Sequence, residues 1–396
     1  MLELLFLLLP IAAAYGWYMG HRSAKKDQEE ITNKLSRDYV TGVNLLLSNQ
    51  QEKAVDLFLD ILQKQEQENE IEQSSQFEAE LTLGNLFRSR GEVDRALRIH
   101  QALDRSPNYS FEQKLLAKQQ LARDFMTVGF FDRAEALYIL LVDEPDFAEN
   151  ALQQLAVIYQ KMKEWKKAIN VAEKLAKISP HFDPIPLAHY YCEYAQSLDA
   201  EQKKMATALL QRALTVYPNC IRASLLLAQN EMLQLDYQSA VKNLEDILQQ
   251  NPAYIGEALS ALKYCYEELH QQDNFELFLI KASQVCKSSA VDLALADFIA
   301  EKDGLVAAQA KLYQQLNQNP TTIVFHRFIQ YQIESAEEGR GKESLELLSK
   351  MVGERIKQGF DYRCTNCGYQ TNKLIWCCPS CRQWESIKPT PDIEYN

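Results

Sequence analysis

Glycine and proline are scarce in this chain, at 13 and 12 among 396 residues. Both residues punctuate tight turns, so their scarcity fits a helical protein better than one built of short strands. An excess of positive charge is also missing. Lys and Arg number 42 against 54 Asp and Glu, a formal net charge of −12. A nucleic-acid partner calls for a basic face, so this balance argues against one. Signatures of catalysis are absent as well: there is no phosphate-cradling glycine loop, no HExxH and no GxSxG. The six histidines are scattered, and the neighbours His181 and His189 read as structural or solvent-exposed. The chain reads as a binding protein, not an enzyme. Cysteine is less scarce. There are nine, an odd number, with five gathered near the C-terminus. That pattern fits a reducing compartment and a metal site better than a disulfide framework. Cys192, Cys220, Cys265 and Cys286 stand apart among apolar residues and read as small buried hydrophobes.

What is present is a repeat. The stretch Phe77–Pro107 reads as two short helices broken at Arg90-Gly91, where glycine can take a positive φ. Gly84 and Ala96 are small, which predicts a close approach of two helix backbones. The small residue of the second helix recurs as Ala54, Ala96, Ala134, Ala168, Ala206, Ala240 and Ala308, with Phe275 at the matching place of one poorer copy. The successive spacings are 42, 38, 34, 38, 34, 35 and 33 residues. Prolines at 180, 218, 252 and 320 close four copies. A helix–turn–helix repeat of about 34 residues with small residues at these places resembles the tetratricopeptide repeat. One such hairpin cannot bury its apolar face alone, so the copies are expected to stack as a solenoid over residues 35–356.

The two ends differ from the middle. Met1–Gly20 is nearly all apolar, with Glu3 its only charge, and is about long enough to cross a bilayer as a helix. No basic residue precedes it, whereas Arg22, Lys25 and Lys26 follow it. A cleaved signal peptide would show the opposite order. Residues 1–20 are therefore expected to be a retained anchor, residues 21–34 a polar tether, and the bulk of the chain cytoplasmic. Ala12, Gly16 and Gly20 recur every fourth residue, the small-xxx-small face by which membrane helices pack. At the other end, residues 357–396 carry Cys364-x-x-Cys367 and Cys378-x-x-Cys381 with ten residues between the two motifs. Two such turns bring four thiolates onto one ion. Zinc is the expected ion, although iron fits the same thiolates and would imply electron transfer. Cys377 is expected to be a bystander, since only 378 and 381 make a second CxxC. Tyr362, Tyr369, Trp376 and Trp384 are expected to supply the ribbon's small core and to dock it near Met351–Phe360.

The combination of anchor, repeat array and CxxC tail resembles the lipopolysaccharide assembly protein B family of the Gram-negative inner membrane. The resemblance is carried by Met1–Gly20, Arg37–Leu62, Leu81–Ile99 and Tyr362–Pro389. The tail itself is similar to a rubredoxin-like zinc ribbon. The resemblance implies an all-α fold with an N-terminal transmembrane helix and that small ribbon. It also implies an adaptor that restrains lipopolysaccharide synthesis by helping the membrane protease FtsH degrade the deacetylase LpxC. A membrane protein of the PbgA/YejM type is the implied antagonist, acting through the anchor. A general envelope-assembly scaffold and an iron-carrying redox protein are the competing readings. Within the repeats, first helices are expected to line a partner groove, with Asn85, Arg88, Arg123 and Gln160 pointing into it.

Overall fold

The computed structural model describes residues 40–390 apart from 43, 46, 47, 49 and 68–72. Residues 1–20, with Ala12, Gly16 and Gly20, and the tether at 21–34 lie outside this range. Among the described residues, no helix is long and apolar enough to cross a membrane. The fold is mostly helical, and the chain divides into two compact units at Met162/Lys163. The second unit takes in the C-terminal ribbon.

The first unit includes the helices Gln73–Ser89, Val93–Arg105, Phe111–Val128, Phe131–Leu141 and Pro145–Met162. Local chemistry sets several of their ends. Gly91 takes φ +81° between the first two of these helices. Ser110 opens Phe111–Val128 with a reciprocal capping box to Gln113, and Gly129 closes it at φ 82°. The second unit continues the pattern as Pro184–Gln196 with Lys203–Val216, Ile221–Met232 with Tyr237–Gln250, and Gly256–Glu268 with Gln272–Val285. Ser289–Asp303 with Leu305–Gln318 and Thr322–Ser335 with Arg340–Lys357 complete it. All seven repeat alanines are buried, the most exposed being Ala206 at 8%, and Phe275 is buried in the poorer copy.

Gly84 is also small for a reason the repeat does not announce. A β-carbon there would clash with the His100 imidazole, so the glycine makes room for that ring. His100 is fully buried, and its Nδ1 donates to Asp124 Oδ2 at 2.5 Å. Arg88 donates to the other carboxylate oxygen of Asp124 at 2.9 Å. The same guanidinium reaches Asn85 Oδ1 at 2.7 Å and Gln120 Oε1 at 2.9 Å. One buried carboxylate thus joins three consecutive helices. Removing a partner from such a network leaves uncompensated buried groups, which costs more than the network's net contribution. Asp124→Ala is therefore expected to destabilise the first unit by about 3–5 kcal/mol. Chemical denaturation followed by circular dichroism checks this. A loss below about 1 kcal/mol would mean that the network is not holding the helices together.

Candidate metal centre and its docking face

The ribbon is a three-stranded antiparallel sheet in the order β2-β1-β3, from β1 (Tyr362–Cys364), β2 (Gln370–Thr371) and β3 (Ile387–Pro389). The two CxxC turns follow one plan. The residue after each second cysteine is left-handed, Gly368 at φ 77° and Arg382 at φ 60°. Glycine meets that demand freely at 368, while an arginine accepts it at 382. The turns bring all four predicted sulfurs together. Cys364 Sγ lies 3.7 Å from Cys381 Sγ, and Cys367 Sγ lies 3.6 Å from Cys378 Sγ. All four lie within 4.8 Å of one another.

The surroundings suit thiolates. Burial raises the Cys364 thiol, but the Ser386 hydroxyl and the amides of Cys367 and Asn366 outweigh it and bring the group to about 6. Burial instead dominates at Cys378 and pushes it up to about 11, against the amides of Cys381 and Ser380. Cys381 is lowered, first by the Asn366 side chain and then by the Gln383 amide. Sulfurs crowded together with amides aimed at them are a donor set that fits a tetrahedral ion. Four thiolates fill that shell and leave no position for a substrate. Cys377 points elsewhere, with its Sγ 3.4 Å from the Arg382 carbonyl.

Of the expected aromatic residues, Tyr362 packs against the ribbon's own core, whereas the two tryptophans have another task. The ribbon's own core is Cys364, Cys378 and Ile387. Leu374 and Trp376 pack instead against the core of the second unit's repeats. Trp384 stacks on His189 of Pro184–Gln196 at 4.7 Å and 14°. Trp376 stacks on Tyr254 at 5.9 Å and 23°. Polar pins surround these rings. Glu385, left-handed at φ 51°, accepts from His189 Nε2 at 3.0 Å. Tyr254 donates to the Ile387 carbonyl at 2.9 Å, and Tyr362 donates to Glu257 at 2.5 Å. The docking face is therefore formed chiefly by Pro184–Gln196 and the segment 252–257; of the expected Met351–Phe360 stretch, the Phe360 carbonyl accepts from the Thr390 hydroxyl at 2.6 Å. Tyr369 takes no part in either core and is largely exposed. Sequence reasoning missed His189 as a docking residue. Its only signal is an apolar setting, since its partner lies 196 positions away.

The residues expected to line a groove are distributed differently. Asn85 and Arg88 meet each other inside the Asp124 network, so the free guanidinium expected at 88 is already engaged. Arg123 is half-buried beside Tyr138, whose hydroxyl is held protonated chiefly by burial and against the pull of Arg123. Gln160 is half-buried on Pro145–Met162.

Fold and site define a helical-repeat protein with a rubredoxin-type metal ribbon. Residues 151–182 match the tetratricopeptide repeat, and residues 362–389 match the rubredoxin metal binding domain. Over 396 residues, covering 100% of both chains, the protein is 74% identical to lipopolysaccharide assembly protein B of Haemophilus influenzae. Identity to the Escherichia coli K12 protein of the same name is 48% over 395 residues, again covering 100% of each chain. The chain belongs to the lipopolysaccharide assembly protein B family. Among solved structures, a tetratricopeptide repeat protein from Parabacteroides merdae covers 70% of this chain and 98% of its own at 14% identity, with a TM-score of 0.33.

Replacing Cys364, Cys367, Cys378 or Cys381 with serine should abolish the thiolate-to-metal charge-transfer band of the cobalt-loaded ribbon. Cys377→Ser should keep that band at full strength, because its sulfur faces a carbonyl. Loss of the band in Cys377→Ser with retention in Cys378→Ser would mean that the ligand register is wrong.

Proposed function

We propose that this protein is a membrane-anchored, non-catalytic adaptor that restrains lipopolysaccharide synthesis. It presents the lipid A pathway deacetylase LpxC to the membrane protease FtsH, and a PbgA/YejM-like membrane protein opposes it. The observation that carries this reading is the full-length match to lipopolysaccharide assembly protein B from two organisms. The physical design agrees with it. Helical repeats offer extended protein-binding surfaces. The ribbon's ion, proposed to be a single zinc, has a closed shell of four thiolates and acts as a structural clip. Residues 1–20 would hold the chain in the inner membrane, with the repeats on the cytoplasmic side. Tethering then raises the local concentration of adaptor near a membrane protease without any new contact. Ala12, Gly16 and Gly20 would form the packing face for the opposing membrane protein.

Partner capture by the repeats is best probed at Arg123 and Gln160. Arg88 and Asn85 are committed to the Asp124 network, so charge reversal there perturbs folding as well as binding. Deleting residues 1–20 should leave a folded protein and lengthen the cellular half-life of LpxC, because the gain in local concentration from tethering is lost. Pulse-chase of LpxC in cells carrying either form reads this directly. An unchanged half-life with the deleted form would remove tethering from the account. An unchanged half-life in cells lacking the whole protein would favour a general envelope scaffold instead.

A further inference from the structure

A second cluster of metal-type donors lies where the ribbon meets the repeats. His189, Cys220 and Glu385 place one donor atom each within 4.8 Å of the others. His189 belongs to Pro184–Gln196, Cys220 caps Ile221–Met232, and Glu385 comes from the ribbon. His189 and Cys220 are fully buried. Cys192 sits three residues after His189, hence on the same helix face, and its sulfur lies 3.9 Å from Cys220 Sγ. The second ring nitrogen of this imidazole, His189 Nδ1, is buried with no hydrogen-bond partner. Such orphaned atoms are rare in folded proteins.

We propose that His189, Cys220 and Glu385 form a second metal site, for a divalent ion of the zinc class, which staples the ribbon to the repeats. Imidazole, thiolate and carboxylate are together a zinc-type donor set. Bond lengths of about 2.0–2.3 Å call for donor separations of roughly 3–4 Å, and the three donors already lie within 4.8 Å of one another, with His189 Nε2 and Glu385 3.0 Å apart. Charge also balances. The Cys220 thiol gives up its proton on binding, so one thiolate and one carboxylate offset the two positive charges of the ion. The nearby Arg222 is paired with Glu193 at 2.9 Å, which offsets part of its repulsion. Cys192 offers a further sulfur beside Cys220. One ligand comes from the ribbon and two from the repeats, so this ion would hold a tertiary contact, whereas the four-cysteine ion holds a local fold. The proposal stands apart from the adaptor reading.

The test is zinc stoichiometry of the full chain in detergent, after loading with zinc and dialysis against a weak chelator. Wild type should retain two equivalents. Glu385→Gln keeps an acceptor for His189 but lacks a carboxylate ligand, and should retain one. Cys220→Ser should also retain one. In both variants the four-thiolate charge-transfer band of the cobalt form should persist, showing that the ribbon is still folded. One equivalent in wild type overturns the proposal whatever the variants do. Two equivalents in wild type and in both variants overturn it as well, because the second ion then sits elsewhere.

Discussion

The ribbon is too short to bury its own tryptophans, and much of the second unit follows from that constraint. A segment of this size has room for two cysteines and one isoleucine in its interior. Metal binding must supply most of its folding free energy. Its large apolar surface is then left over, and burying Trp376 and Trp384 against the repeats removes it from water. The stacked pairs are directional as well as apolar, and Glu385, Tyr254 and Tyr362 fix the orientation with hydrogen bonds. Local metal closure and long-range docking are therefore coupled. The knuckle Cys378–Cys381 lies between Trp376 and Trp384, so the ion that shapes this turn also sets the spacing of the two rings that dock.

The repeats themselves were legible because their constraints are local and periodic. The alanine register from Ala54 to Ala308 marks the buried crossing of each helical pair, and Gly91 marks a turn by its φ. The four ribbon cysteines were legible for a similar reason, since CxxC spacing is itself a turn geometry. Long-range pairings were not. Nothing near His189 announces Glu385, and nothing near His100 announces Asp124 except the glycine that makes room for the ring. Arg88 shows the same limit. A polar residue on a first helix reads as a partner contact, and the carboxylate in the next repeat that it pairs with is not visible in the sequence. Trp376 and Trp384 read from the sequence as apolar core residues, and the structure buries them against the repeats, not in the ribbon. Sequence period shows which residues are buried; it does not show which neighbour they are buried against.

The ribbon also bears on how the repeats of this family hold their shape. Helical repeats give surface but limited shape control, because each copy contacts chiefly its neighbours. A metal-clipped ribbon reaching back to Pro184–Gln196 and to 252–257 adds contacts of long sequence separation within the second unit. Such contacts brace helices that would otherwise open locally at low cost. A brace of this kind holds a binding surface in one shape, and preorganisation lowers the ordering cost of capturing a partner.

The central claim is that the ribbon's metal and the ribbon's docking form one cooperative unit. Hydrogen exchange of the full chain, compared with metal bound and with metal stripped by a strong chelator, measures it most directly. The account predicts that stripping deprotects the ribbon and, with it, the amides of Pro184–Gln196 and of residues 252–268, while Val93–Arg105 is unchanged. Loss of protection confined to residues 362–389, with Pro184–Gln196 as protected as before, would contradict it.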